Sequence, residues 1–507
     1  MILLSDSWNI FRAGKKNKQH GAFVHTNIMS LLKPARRWQP AFFPFKKEPF
    51  GRILLAKAEI CIKGPIFGCR MCGNCLLQET AFICPMECPK GLRNGPCGGI
   101  TPEKNCYVDQ SRKCVWYAIY TRALKTGRQE LLLEVLPPLD WNKTGTETWG
   151  DVVKEIRKTG TAKFFTSLAS KNASKKKDIW DGVFKTIRQP DWWAGDANYH
   201  EAMQHEPVTA LERKLRAGEF VVATEVTPPV GAGTDKLSRD IESVKPFVTA
   251  INFTDSSSAR PKMSSIACCK VAVDSGCEPV FQIASRDTSR TGLQSAVIGA
   301  NAVGIRNILC VTGDNPMVGP EPTSNMNIVD VDSVQMLWIM RKMRDEAVYL
   351  DGRNFRNPPK LFLGAATSPF AADPVLQAIK DHKKINAGAQ FFQTNLIFEP
   401  ERLDQWLEQL DKRNVLDKVF ILIGIAPLKN FKIAEYIHTK IPGVSLPKMV
   451  LQRMEKAGES ASEEGIQIAL EVIDSVKHKR GINGIHIMTL GWESSVERIV
   501  TESGLVN

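Results

Sequence analysis

The chain has 507 residues, of which 43% are apolar and 24% charged, a composition that excludes collagen, mucins and wholesale disorder. The formal net charge is +13, and residues 1–206 carry the whole excess, with 32 Lys and Arg against 19 Asp and Glu. Such a segment suggests an anionic partner, whether nucleic acid, an anionic membrane face or an acidic protein. No apolar run reaches the ~18–20 residues that span a bilayer, and the N-terminus lacks a secretory signal. We therefore expect a cytoplasmic protein with no transmembrane segment.

Composition shifts divide the chain into four segments. Residues 1–50 form a basic arm rich in aromatic side chains, without clear periodicity. Residues 51–120 form a cysteine-rich unit with Gly and Pro around the cysteines. Residues 121–206 are predicted as a mostly helical connecting segment. From residue 207 to 507 the pattern changes to β-branched runs that alternate with amphipathic helical stretches.

The cysteine-rich unit holds nine of the thirteen cysteines, and we predict that they bind metal: Cys61, Cys69, Cys72, Cys75, Cys84, Cys88, Cys97, Cys106 and Cys114. Thiolates are soft ligands, and two-residue gaps let neighbouring sulfur atoms reach one centre. The C-x2-C-x2-C run followed by C-x3-C-P is similar to bacterial ferredoxin ligation, which favours iron–sulfur clusters of the 4Fe-4S type. Nine cysteines suffice for two four-thiolate sites with one left over. Structural zinc and free or redox-sensing thiols remain alternatives, although no His lies between His25 and His200.

The C-terminal segment contains eight runs typical of strands: 220–227, 249–255, 279–285, 306–314, 360–367, 390–398, 418–426 and 484–490. Helical stretches separate them. Eight strand–helix units in about 300 residues predict an α/β fold, a (β/α)8 TIM barrel preceded by the cysteine-rich metal-binding domain and a helical linker. An open doubly wound sheet is the alternative, but no Gly-rich G-x-G-x-x-G turn follows the first strand.

Active sites of such barrels lie at the carboxyl ends of the strands, so polar residues there are the candidates. Glu225 lies near the end of the first run, inside an apolar stretch, where a carboxylate must be hydrogen-bonded or have a raised pKa. That makes Glu225 a candidate general acid or base; the alternative is a structural Glu that pairs with a strand neighbour. Asp314 ends the fourth run in T-G-D-N-P, where a turn-forming role is the alternative.

Five ordered motifs carry a resemblance to a known family. They are A-T-E-V-T-P-P at Glu225, I-N-F-T-D at Thr254, S-R-D at 285–287, the G-A-x-A-V-G-I-R-N-I-L-C-V-T-G-D run ending at Asp314, and K-I-N-A-G-A-Q-F-F-Q-T-N at 384–395. With these motifs, residues 207–507 resemble the methylenetetrahydrofolate reductases, which are flavin-dependent (β/α)8 barrels. The cysteine-rich unit is similar to a segment of the partner subunit found with some reductases of this family in anaerobes.

The resemblance implies roles for individual residues. Glu225 would be the general acid that assists opening of the folate ring, and Asp314 would lie beside flavin and pterin and favour the cationic form of the substrate. Substrate binding would use Glu225, Asp314, Gln393 and Asn395. Flavin binding, as FAD or FMN, would use Thr254, Gln282, Ala284, Ser285, Arg286, Asp287, Thr312, Gly313, Asp314 and Lys384, with the Lys384 ammonium facing a flavin phosphate.

The implied reaction is the reduction of 5,10-methylenetetrahydrofolate to 5-methyltetrahydrofolate, in either direction. If the metal is iron–sulfur, electrons would enter through the clusters from an acidic carrier such as ferredoxin or from a redox partner subunit. Alternatives are an NAD(P)H-dependent reductase with a structural zinc domain, and a non-catalytic flavin- or folate-binding electron-transfer subunit. We expect no nucleic-acid partner, because the cysteine-rich unit lacks a recognition-helix signature. The sequence does not decide whether the chain forms a homo-oligomer.

Overall fold

A computed structural model describes residues 50–150, 193, 195–321, 329–370, 373–441, 443–444 and 446–505. Residues 1–49 of the basic arm and half of the connecting segment, 151–192 and 194, lie outside these residues. Eight parallel strands, numbered in chain order, pair with their sequence neighbours and close into a barrel through β1 and β8. The predicted barrel is therefore confirmed. The strands are β1 Val221–Glu225, β2 Ala250–Phe253, β3 Pro279–Ala284, β4 Asn307–Val311, β5 Phe362–Thr367, β6 Phe391–Leu396, β7 Phe420–Ile425 and β8 Gly484–Met488.

Within the described residues, three α-helices precede the first strand: α1 Phe50–Phe67, α2 Val115–Lys125 and α3 Ala210–Arg216. Ten more surround the barrel: α4 Asp235–Val244, α5 Ser265–Asp274, α6 Arg290–Ala302, α7 Ser333–Asp345, α8 Pro374–Asn386, α9 Leu403–Lys412, α10 Phe431–Lys440, α11 Lys448–Lys456, α12 Ala461–Val476 and α13 Ser495–Glu502. Across the described ranges, none of the helices combines the length and the apolar character needed to cross a membrane.

The barrel interior is apolar at the amino ends of the strands and polar above. Alternation along each strand directs every second side chain inward. At the lower level, inward residues such as Val221, Phe362 and Phe391 pack together with Leu211 and Leu215 of α3, which closes the amino end. One layer higher, the inward positions are polar, at Asn252, Gln282, Gln393 and His486. The change from apolar to polar places the reactive side chains toward the carboxyl ends.

The cysteine-rich unit packs directly on the barrel. Trp116, Ile119 and Tyr120 of α2 share one buried cluster with Leu376 and Ile379 of α8. Between Phe67 and Val115 the chain is built of turns and short 3-10 segments rather than long helices or strands. Buried hydrogen bonds therefore fix much of its backbone, and several of them reach across to the barrel.

Asp332 makes the most connected of these contacts. One carboxylate oxygen accepts hydrogen bonds from the backbone N–H groups of Val334 and Gln335, which caps the amino end of α7. The other accepts from the backbone N–H of Arg93 and the side-chain amide of Asn94. One buried carboxylate thus joins a barrel helix to the cysteine-rich unit.

We predict that Asp332→Ala lowers the free energy of unfolding by about 3 kcal/mol, because it removes a helix cap and leaves buried donors unpaired. Asp373→Ala is the matched control. Asp373 caps α8 through the N–H of Val375 but is exposed, so its loss should cost only about 1 kcal/mol. Urea denaturation measures both values, and equal losses in the two variants would contradict the bridging role of Asp332.

Candidate active site at the carboxyl ends of the strands

Glu225 is the last residue of β1 and lies at the carboxyl-terminal rim of the barrel. The pKa of its carboxyl group is raised to about 7, chiefly by burial; Lys262 opposes the shift and the nearby charge of Glu493 adds to it. A carboxylic acid with this pKa exchanges its proton near neutral pH, as a general acid or base must. The role of Glu225 as a general acid or base stays a prediction.

Asp314 lies in the loop after β4, and hydrogen bonds hold its carboxylate and its backbone. Its Oδ2 accepts a hydrogen bond of 2.8 Å from the backbone N–H of Ser258, and its carbonyl oxygen accepts one from the Arg286 guanidinium. Arg286 also donates to the carbonyl of Ser256 and to the carboxylate of Asp287. Three rim loops, after β2, β3 and β4, therefore meet around Asp314.

The backbone in these loops adopts conformations that side chains disfavour. Ser256, Ser258 and Ala259 all have φ near +50°, in the left-handed region where non-glycine residues are uncommon. Gly313 has φ +78°, and a Cβ there would lie 3.0–3.1 Å from the Cβ atoms of Arg286 and Ala284. Such strain is retained where the surrounding structure holds it, and it clusters at functional sites.

The remaining rim candidates lie around the same opening. Ser285 donates from its hydroxyl to the carbonyl of Thr312, joining the loops after β3 and β4. Gln393 makes two hydrogen bonds with Asn252 across the barrel. Thr254, at the end of β2, is buried, and its hydroxyl oxygen has no hydrogen-bond partner within the described part of the chain. Gln282 and Ala284 on β3 and Asn395 on β6 complete the set.

Lys384 lies apart from the rim loops. It belongs to α8, is buried, and donates to the carbonyl of Ala366 in β5, with Asp381 at 3.9 Å. Burial lowers its pKa to about 7, and the neighbouring Lys380 lowers it further. In this arrangement the ammonium group faces protein oxygens. Its assignment to a flavin phosphate remains a prediction, and ligand binding would have to redirect the side chain.

His486 on β8 is a rim-facing residue that the sequence reasoning missed. Register pairs it with Ala223 and Gly424, so it points into the barrel, one layer below Glu225. Burial lowers its pKa to about 3, and neither ring nitrogen has a partner among the described residues. The signal was present in the sequence, because a His at an inward position of an otherwise apolar strand is a polar group without an obvious partner.

Eight of the nine cysteines of the cysteine-rich unit form two sets of four. In the first cysteine set, Cys69, Cys72, Cys75 and Cys84 line one cavity of about 30 Å³. Burial raises the pKa of Cys84 well above its usual range, and the neighbouring thiols of Cys72, Cys69 and Cys75 raise it further. Nearby, the ammonium of Lys63 lies 3.8 Å from the sulfur of Cys75.

In the second cysteine set, Cys88, Cys97, Cys106 and Cys114 line a separate cavity of about 20 Å³. Cys61 joins neither set, because it is exposed on α1. All thirteen cysteines lie in the described part of the chain, and none of them forms a disulfide. Over the described ranges, no group of three or more His, Cys, Asp or Glu side chains has the close geometry of a single metal ion site. The order of the cysteines in the sequence does not by itself show which of them belong to the same set.

Lys90 connects the second cysteine set to the rim and was not singled out from the sequence. Its ammonium group donates a hydrogen bond of 2.6 Å to the carbonyl oxygen of Gly313, the residue before Asp314. Burial alone would lower the pKa of Lys90, but the charges of Cys97, Tyr107 and Asp314 raise it overall. The cysteine-rich unit therefore reaches the candidate active site directly.

Comparison with known proteins identifies the family. A family model described as methylenetetrahydrofolate reductase matches residues 210–504, and one described as methylene-tetrahydrofolate reductase C terminal matches residues 54–142. Methylenetetrahydrofolate reductase 2 of Schizosaccharomyces pombe is 27% identical over 230 residues, which cover 42% of this chain and 34% of that protein. The chain thus matches about a third of the length of that relative.

Two solved structures are also similar in part. An uncharacterized protein from Clostridium thermocellum, which binds two copies of 5-methyl-5,6,7,8-tetrahydrofolic acid, matches with a TM-score of 0.45 and 15% identity over 59% of this chain and 100% of its own. A riboflavin lyase with modified FMN and riboflavin matches with a TM-score of 0.37 and 8% identity over 57% of this chain and 93% of its own. The first family model matches more than half of this chain's residues, so the chain belongs to the methylenetetrahydrofolate reductase family.

Proposed function

We propose that the protein reduces 5,10-methylenetetrahydrofolate to 5-methyltetrahydrofolate with a bound flavin. The observation that carries the proposal is Glu225, a carboxyl group with a pKa of about 7 on the same rim as Asp314. The reaction adds two electrons and two protons to the substrate. The bond between the one-carbon unit and N10 breaks, the carbon gains a hydride and N10 gains a proton. Family membership supports this activity.

The rim residues fit a flavin. The buried Thr254 hydroxyl lacks a partner within the described part of the chain, and Arg286 and the Ser285–Thr312 contact provide polar walls. A flavin bound there, as FAD or FMN, would supply hydride-transfer chemistry. The protein supplies binding, orientation and the proton.

Glu225 would hold that proton at its carboxyl oxygen and donate it to N10 as the ring opens. Its raised pKa keeps a large fraction of the acid protonated at neutral pH, which a buried carboxyl group can do and an exposed one cannot. The carboxylate of Asp314 would lie beside the substrate and stabilise positive charge on it through proximity, since fixed charges act strongly in a preorganised site. Gln393 and Asn395 would provide hydrogen bonds to the pterin.

The two cysteine sets fit polynuclear clusters better than single ions. A structural zinc ion draws four thiolates to ~2.3 Å from one point. Here the thiols of each set line a void of about 20–30 Å³, and over the described ranges no three of them come close enough together to hold one metal ion. The first and second cysteine sets would each hold a 4Fe-4S cluster, whose chemistry is one-electron transfer.

The order of the two sets supports electron entry through the cysteine-rich unit. Cys84 of the first set and Cys88 of the second are joined by the 3-10 turn Pro85–Glu87, and four residues in that conformation rise only ~8 Å. Lys90 follows and reaches the rim. An acidic carrier such as ferredoxin is the proposed donor, because the excess positive charge lies in residues 1–206. The alternative, an NAD(P)H-dependent reductase with zinc in both cysteine sets, differs in its metal content.

We predict that Glu225→Gln slows reoxidation of reduced flavin by methylenetetrahydrofolate by about 10²–10⁴-fold, because the proton donor is lost. In the unmodified protein, the rate should fall as pH rises through about 7, since Glu225 acts in its protonated form. Stopped-flow absorbance of the flavin under anaerobic conditions measures this rate.

Two matched variants sharpen this test. Glu219→Gln, exposed just before β1, should leave the rate and its pH profile unchanged. Glu493→Gln should shift the fall in the reoxidation rate to lower pH, because the charge of Glu493 raises the pKa of Glu225. If the flavin of Glu225→Gln is reoxidised at the normal rate, Glu225 is not the proton donor.

We predict about eight iron and eight acid-labile sulfide per chain in protein purified without oxygen, as two 4Fe-4S clusters require. Cys72→Ala and Cys97→Ala should each lose about half of the iron and half of the sulfide, because each removes a ligand from one set. Cys61→Ala is the control and should retain the full content, since that thiol is exposed on α1. Stoichiometric zinc without sulfide would establish the alternative, and loss of iron in Cys61→Ala would refute the assignment of the sets.

A further inference from the structure

We propose that Lys90 is a positioning residue for Asp314, through which the cysteine-rich unit holds the reactive loop of the barrel and places a positive charge beside it. The inference rests on the proposed function and deepens it. It assigns to the cysteine-rich unit a direct part in folate reduction, in addition to metal binding. The carrying observation is the contact of a buried ammonium group with the backbone one residue before Asp314.

The geometry of Lys90 leaves its ammonium group little freedom. The side chain is 4% exposed, and its Nζ lies 2.6 Å from the carbonyl oxygen of Gly313. It also lies 4.9 Å from the centre of the Tyr107 ring, within the range of a cation–π interaction. A buried ammonium group must be fully paired to be tolerated, so these partners fix its position.

Tyr107 adds a second contact to the same loop. Its hydroxyl oxygen accepts a hydrogen bond of 3.2 Å from the backbone N–H of Asn315. The ring is seated against Gly99, where an added Cβ would lie 2.2 Å from a ring carbon, so only glycine fits. Lys90 and Tyr107 therefore hold the residues on both sides of Asp314.

The barrel holds Asp314 from the opposite direction. Ser258 donates to its carboxylate and Arg286 to its carbonyl oxygen. Each of the two barrel contacts comes from a strained or loop segment, and Gly313 itself has φ +78°. Such a loop needs external restraint to stay in one conformation. The contacts from Lys90 and Tyr107 supply that restraint.

The charge of Lys90 has a second consequence. Lys90 lines the void of the second cysteine set and donates to the carbonyl oxygen of Gly313, so it lies between the proposed cluster and the rim. A buried cation stabilises nearby negative charge, because the interior screens it weakly. Reduction adds negative charge to a flavin. Lys90 should therefore make a flavin at this rim easier to reduce.

Two substitutions separate positioning from charge. Lys90→Met removes both the charge and the hydrogen-bond donor, whereas Lys90→Gln removes the charge but keeps a donor for the Gly313 carbonyl. Lys125→Met is the matched control, because it removes the same charge from an exposed position at the end of α2. All are made in the full chain, purified without oxygen.

The first measurement is hydrogen–deuterium exchange of a peptide that contains residues 313–315, which requires neither flavin nor substrate. Lys90→Met should raise its exchange rate about tenfold, while Lys90→Gln and Lys125→Met should stay within about twofold of the unmodified protein. Exchange in Lys90→Met equal to that in Lys125→Met would overturn the proposed restraint, whether or not the protein is a folate reductase.

The second measurement uses the flavin-loaded protein. Lys90→Met should lower kcat for folate reduction about tenfold with KM within about twofold, since the lost interaction orients Asp314 for reaction rather than for binding. Anaerobic titration should show a more negative flavin midpoint potential in both Lys90→Met and Lys90→Gln. An unchanged potential in both would overturn the charge effect. An unmodified protein that binds no flavin would refute the proposed function, and the exchange result would still stand on its own.

Discussion

Closure of eight parallel strands into one barrel is the constraint on which the rest of the structure depends. It brings the carboxyl ends of all strands to a single rim, so side chains from distant parts of the sequence meet there. Phe362, Phe391 and their neighbours fill the lower barrel with α3 as its base, and the polar groups stay above this floor. Glu225 is therefore buried enough to raise its pKa and still lies at the opening.

The cysteine-rich unit satisfies a different constraint. It has few long regular elements, so its backbone depends on buried side chains such as Asn94, which bonds to the N–H and C=O of Leu136. Its eight inward thiols divide into two sets that surround separate voids. A small irregular unit of this kind gains stability when a ligand joins its distant segments. Metal binding and folding of the unit are thus expected to be linked.

The interface between the two parts is polar where it meets the rim and apolar away from it. The packing of Trp116 and Ile119 against α8 buries the apolar area of this interface. The hydrogen bonds made by Asp332 and Lys90 are directional, and they fix the orientation of the cysteine-rich unit on the barrel. Because a buried charge without its partner is costly, these contacts penalise any other arrangement of the unit on the barrel. The geometry at Asp314 is consequently shared by both parts of the chain.

Strand periodicity, the polar residues that end the strands and the cysteine spacing were readable from the sequence, because they are local patterns with local causes. They determined the barrel, the candidates Glu225 and Asp314, and the prediction of two four-thiolate sites. The division of the thiols into sets, the inward His486, the inward-turned Lys384 and the reach of Lys90 to Gly313 were decided only by tertiary structure. Each depends on contacts between residues far apart in the chain, and no local pattern encodes which distant segments will meet.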